Sequence, residues 1–257
     1  MDLVLLSNRG GDGAPHWSRA AAGAVAAALA ADGVRPRWLC ALGEGEAAPT
    51  VPAGVDLDLL RGRRPAFRRV VARVSDVDIE VALARTLRPL RRPVVVHFGF
   101  GAPGSTASLW LAERMGGRGM AVVRATEVLC HRGTLVDHAG SPCAEFDDPR
   151  RCARCCCCGA AAEGLAPQQA RLARLLRWLG PYSPYPNELA FRSRGDLVLS
   201  SLQLATVLVP SDDDRALLQR AGLSARSLAV VDGTAAAAVV TAILELAAAR
   251  VQVAGPG

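Results

Sequence analysis

The chain has 257 residues, long enough to bury a sizeable core, and 51% of them are apolar but only 4% aromatic, so that core is built mostly from Ala, Val and Leu. The formal charge is +6 and all 30 basic residues are arginine. The absence of lysine excludes Schiff-base catalysis and a phosphate-loop lysine.

In chain order, Leu3–Ser7 is a short continuous apolar run, the pattern of a buried parallel strand. It leads into Asn8-Arg9-Gly10-Gly11-Asp12-Gly13, a glycine-rich turn. An alanine-rich helix over Ser18–Ala31 follows, closed by Asp32-Gly33. Arg37–Ala41 predicts a second strand, completing a right-handed strand–helix–strand crossover, and Val55–Leu60 predicts a third. Residues 61–92 carry ten arginines against Asp76, Asp78 and Glu80, with helical character over Asp76–Leu90. After Pro93, Val94–Phe98 reads as a buried strand. Gly99–Gly104 is a second glycine-containing turn, and Ser105 is placed to cap a helix over Thr106–Met115. Met120–Ala125 predicts the next strand.

Residues 128–158 show neither helical nor strand periodicity. Beyond them come a helix over Pro167–Leu179, a proline-rich loop at 180–186, a helix over Glu188–Leu202 and a strand over Ala205–Pro210. Ser211-Asp212-Asp213-Asp214 is a helix start with acids in the first turn, and that helix ends at Ala221-Gly222. Ser227–Val231 predicts a last strand and the residues up to about Arg250 a final alanine-rich helix. The alternation predicts an α/β fold with one doubly wound, mainly parallel, Rossmann-like sheet and an irregular Cys-rich insert. The expected organisation is 1–127 for the first part of the α/β domain, 128–165 for the insert, 166–234 for the remainder, and 235–257 for a C-terminal helix and tail.

The apolar run Leu3–Leu6 is too short for a secretory signal, and no stretch approaches the ~20 apolar residues that span a bilayer. The expectation is a cytoplasmic chain, where thiols stay reduced and clustered cysteines bind metal rather than pair as disulfides.

Seven of the eight cysteines lie in residues 128–158. Cys130, Cys143, Cys152 and Cys155 are separated by twelve, eight and two residues, and Cys156, Cys157 and Cys158 extend the last into a run. Four thiolates in this pattern suit structural zinc; an iron–sulfur cluster and unligated thiols are the alternatives. Any of Cys156–Cys158 is able to replace Cys155, and His131 and His138 are spare ligands. Cys40, inside an apolar strand, reads as a core residue.

The turn at Gly10 and Gly11 follows the first strand, where open α/β sheets bind ligands; it is either an anion-binding loop or a plain tight turn. His16 either faces the same cleft or lies on the loop surface. His97 near the end of its strand is either a catalytic base that orients a substrate hydroxyl or a hydrogen-bonded structural residue. Glu127 follows the next strand and is the carboxylate candidate on the same rim. Arg132, beside the first cysteine, either binds an anionic group or braces the loop. Asp147, Asp148 and the arginines at 150, 151 and 154 read as a solvated surface of the knuckle. The arginines of residues 61–92 have only Phe67 among them, so nucleic acid is not the expected partner; they read either as a plain solvated face, the default, or as a surface for an anionic membrane or a phosphate-bearing acceptor, which would make the protein peripheral at the membrane.

Several segments together resemble one family. Gly10-Gly11 before a small-residue helix, His97 before a loop and the helix from Ser105, Val207–Ser211, Ala221-Gly222 and Leu228–Thr234 resemble the first domain of GT-B glycosyltransferases, family 4 in particular. Some members carry an insert like Cys130–Leu135, Gly140, Cys143 and Cys152-Ala153-Arg154-Cys155. The resemblance covers roughly residues 1–234. It implies the acceptor-side half of an enzyme that transfers a hexosyl group from a nucleotide sugar to an acceptor hydroxyl. It also implies a partner carrying the nucleotide-sugar-binding half, which in the family would begin after about residue 234, where 23 residues remain. Thr126-Glu127 departs from the histidine-containing pair of many members. The alternatives to this enzyme are a non-catalytic, zinc-stabilised scaffold and an iron–sulfur or redox protein.

Overall fold

The structure is a computed structural model that describes residues 2–8, 17–42, 46–61, 77–100, 105–131, 133–137, 139–158, 188–231 and 236–253. Among them are seven strands: β1 Leu3–Ser7, β2 Arg37–Leu42, β3 Asp56–Arg61, β4 Val94–Phe98, β5 Arg118–Val122, β6 Ala205–Val209 and β7 Leu228–Val230. Eight α-helices accompany them: α1 Trp17–Ala31, α2 Val77–Leu87, α3 Ala107–Arg114, α4 Ala125–Leu129, α5 Pro149–Cys158, α6 Glu188–Gln203, α7 Asp212–Arg220 and α8 Ala236–Val253. The strands form one sheet in the order β3-β2-β1-β4-β5-β6-β7, every neighbouring pair parallel. This is the doubly wound α/β fold that the alternation predicts.

Alternation along each strand sorts the core between the two faces. Leu3 and Leu5 of β1, Trp38 and Cys40 of β2 and Val94, Val96 and Phe98 of β4 pack with α1 and with Val239, Val240 and Ile243 of α8. Val4, Leu6, Leu39 and Val95 point the other way, toward Ile79, Leu83 and Leu87 of α2 and Ala112 of α3. Farther along that face, Val207 and Val209 pack with Val198 and Leu202 of α6 and Leu218 of α7. The small residues of α1 have a local reason. The Trp38 ring lies against Gly23, where an added Cβ would stand 3.2 Å from it, and its indole donates to Ser7 Oγ at 2.9 Å.

Several boundaries shift by one to three residues, and two differences from the sequence expectation bear on the site. The strand expected over Met120–Ala125 ends at Val122, because Ala125 begins α4. Residues 128–158 hold more regular structure than their spacing suggests: α5 carries the Cys-x-x-Cys pair on a helix, and Val136 and Pro142 form an antiparallel bridge. Asp148 starts α5, its carboxylate accepting the Arg150 N–H at 2.8 Å, with Pro149 in the first helical position. The expected start at Ser211 is present, its hydroxyl accepting the Asp214 N–H at 3.1 Å. The helix expected over Pro167–Leu179 and the loop at 180–186 lie outside the described residues. No helix among the described residues is long and apolar enough to cross a membrane.

Two glycines make the packing testable. An added Cβ on Gly117, just before β5, would lie 2.3 Å from the Pro93 carbonyl oxygen and 2.7 Å from that of Ala112. Gly195, inside α6, has nothing within 4 Å. Gly117→Ala is expected to cost about 1–3 kcal/mol. Gly195→Ala is expected to add about 0.5–1 kcal/mol through helix propensity. Urea denaturation of both variants checks the opposite signs.

Candidate functional site

In this strand order the chain steps outward from β1 to β3 and then returns to β4 on the other side of β1. The direction reverses at the carboxyl ends of β1 and β4, the position where open α/β sheets bind ligands in a crevice. Asn8 stands there, fully buried, and uses every polar atom of its side chain. Its amide donates to the carbonyls of Phe98 at 3.2 Å and Gly99 at 2.6 Å. Its backbone N–H donates to Ser18 Oγ at 3.1 Å, joining the end of β1 to the start of α1.

His97 completes this set. Its ring is fully buried, with Nε2 3.3 Å from Asn8 Oδ1 and Nδ1 2.7 Å from Ser108 Oγ of α3. The Asn8 amide nitrogen already donates to two carbonyls, so Oδ1 is the acceptor. Nε2 therefore carries a proton for Asn8 Oδ1, and Nδ1 shares a hydrogen bond with the Ser108 hydroxyl. As placed, the ring ties β1 to α3 and spends both nitrogens inside the protein.

Glu127 belongs to a second set, on α4. Its carboxylate accepts from the indole N–H of Trp17 at the start of α1, and Arg124 lies over the same indole at 4.8 Å. The five-residue α4 is held at both ends. Asp214 Oδ1 accepts the Ala125 N–H at 2.6 Å at its start. At its end the buried guanidinium of Arg194 donates to the carbonyls of Val128 at 2.9 Å and Glu127 at 2.8 Å. Opposite charges thus meet the free donors and acceptors of the two helix termini.

Cys130 is the first residue beyond α4. Cys143 follows the turn at 137–141, where the Asp137 carboxylate accepts the Ala139 and Ser141 N–H groups, each at 2.9 Å, and Cys143 N–H donates to Leu135 at 2.7 Å. Cys152 and Cys155 lie one helical turn apart on α5. All four line one cavity of about 450 Å³, together with His131, Asp137, Glu145, Asp148, Arg150, Arg151, Arg154, Cys156 and Phe191. Burial pushes the Cys152 thiol up to about 12, with further upward pressure from Cys130 and Cys143. Cys143 is raised for the same leading reason, and Cys130 and Cys155 add to it. As they stand, no three His, Cys, Asp or Glu side chains among the described residues are gathered closely enough to hold an ion. The charged rim is paired, Arg151 with Glu145 and Asp137, and Arg150 with Glu188. Cys40 is fully buried in the core, and burial raises its pKa.

The structure thus brings the four spaced cysteines together and puts His97 and Glu127 in separate hydrogen-bonded sets. Gly10, Gly11, His16 and Arg132 lie outside the described residues. Sequence reasoning passes over Asn8, Trp17, Ser108 and Arg194. Only Arg194 leaves a signal, since it falls on the stripe Phe191, Arg194, Val198, Ser201, Leu202 that α6 buries.

No family model matches the sequence, and no curated protein matches it. Among solved structures it is similar to a UGT transferase from Siraitia grosvenorii in complex with UDP, with a TM-score of 0.41 and 12% identity. The match covers 85% of this chain and 47% of that one, so the matched region spans less than half the length of that transferase.

Arg194→Met keeps the apolar stem but removes both donors from the end of α4. Two charge-assisted hydrogen bonds to buried carbonyls are at stake, so the loss is expected to be about 2–4 kcal/mol. A denaturation midpoint unchanged from the parent would contradict the assignment.

Proposed function

We propose that this chain is the acceptor-side domain of a glycosyltransferase-like enzyme. Sugar transfer from a nucleotide sugar to an acceptor hydroxyl would occur when a nucleotide-sugar-binding half from outside these residues closes over the crevice. The observation that carries the reading is the reversal of strand order between β1 and β4, whose carboxyl ends are fixed by the buried Asn8–His97–Ser108 set. The order of sequence motifs supports it.

In this reading the protein's residues chiefly position groups. Asn8 and His97 fix where the two loops leave β1 and β4. Glu127, oriented by Trp17, is the carboxylate that would accept a hydrogen bond from the acceptor hydroxyl and draw off its proton as the new bond forms. The exposed arginines Arg85, Arg88, Arg91 and Arg92 are suited to an anionic membrane surface or an acceptor phosphate. A second reading, a non-catalytic binding module, is favoured by the cysteine-lined cavity, whose wall carries Arg150, Arg151 and Arg154.

The purified 257-residue chain is expected to show no turnover of a panel of nucleotide sugars, and activity is expected from the complex co-purified from the native host. Turnover by the chain alone would overturn the need for a second half. In the active complex, Glu127→Gln retains an acceptor for the Trp17 indole but loses the base. It should lower kcat/KM at least about tenfold with the melting temperature unchanged. Unaltered kinetics would remove Glu127 from the reaction.

A further inference from the structure

The run Cys155–Cys158 leaves the sequence ambiguous, since any member is able to serve as a fourth thiolate. Burial separates two of them. Cys156 is 3% exposed and packs with Ala190 and Phe191 of α6, forming the small apolar cluster that fastens α5 to α6. Cys155, one residue earlier and about 100° around the helix, is only half-buried. It lines the same cavity as Cys130, Cys143 and Cys152. The other three come from distinct supports: Cys130 from the end of α4, Cys143 from the turn at 137–141 and Cys152 from the first turns of α5. Cys156 also borders this cavity, but its burial against Phe191 leaves the other four thiols, on three separate pieces of backbone, as a donor set suited to a soft tetrahedral ion.

We propose that Cys130, Cys143, Cys152 and Cys155 form a tetrathiolate zinc site, and that Cys156 is excluded from it by its packing against Phe191. The residues fit the ion in kind and number. Because no three ligands are gathered as they stand, zinc would assemble the site by drawing the thiolates in, releasing their protons as it binds. Zinc performs no chemistry here. It would clamp the end of α4 to the turn at 137–141 and to α5, holding together a segment whose own apolar cluster is small.

The test is metal analysis of the purified full chain and of Cys155→Ala and Cys156→Ala, followed by cobalt titration of the metal-free proteins. One zinc per chain is expected in the parent and in Cys156→Ala, with the intense thiolate-to-cobalt absorption of a four-sulfur site in both. Cys155→Ala should bind at least about tenfold more weakly. Should Cys155→Ala fail to fold, the four-sulfur cobalt spectrum of Cys156→Ala decides by itself. Loss of the site in a folded Cys156→Ala, or full retention in Cys155→Ala, overturns the ligand assignment. A parent chain that binds no zinc, or that carries a coloured iron–sulfur cluster instead, overturns the zinc site.

Discussion

A helix of five residues has no stability of its own, since the cost of nucleation is not recovered within so few hydrogen bonds. α4 persists because two charged side chains from other elements complete its ends. The Asp214 carboxylate takes an N–H at the start, and the Arg194 guanidinium takes two carbonyls at the finish. Glu127 lies within this helix and Cys130 immediately after it. Its geometry is therefore set by α6 and α7, which lie much later in the chain. Asp214 serves twice, because its own N–H and carboxylate also bond the Ser211 hydroxyl that starts α7.

The crevice uses the same economy with neutral groups. Buried polar atoms are costly unless each finds a partner, and a fully satisfied cluster fixes one arrangement. Asn8, His97, Ser108 and Ser18 satisfy one another and two carbonyls of the chain, binding β1, β4, α1 and α3 at the point where the order of strands reverses. The crevice and the cysteine cavity are thus supported by different physics, one a closed network of neutral hydrogen bonds, the other a thin apolar cluster under a paired charged rim.

The sheet was largely legible in the sequence because buried parallel strands are uninterrupted apolar runs. Leu3–Ser7 and Val94–Phe98 appear in the structure with the expected bounds. Residue type and spacing singled out Cys130, Cys143, Cys152 and Cys155, and the structure sets them along one cavity without gathering any three closely enough to hold an ion. The helical state of α5 was not, because periodicity looks for an apolar stripe and this helix is arginine and cysteine. The signal that does exist is the Asp148-Pro149 start, which works through backbone donors. Glu127 was recognisable as a carboxylate near a strand end, but its Trp17 partner is 110 residues away and brought near only by the fold. Arg194 was hidden for a related reason: an arginine on a buried stripe has meaning only once the carbonyls it meets are known.

The two borders of the sheet have a bearing on how the molecule behaves in crowded solution. A long, flat, apolar border invites another chain to add itself as a further strand. Here β7 is only three residues long, and β3 alternates Asp56 and Asp58 with leucines along its free side. Neither offers a template long or neutral enough for open-ended stacking. Among the described residues, the seven-stranded sheet thus ends on one strand that is short and another that is charged, both of which discourage open-ended pairing.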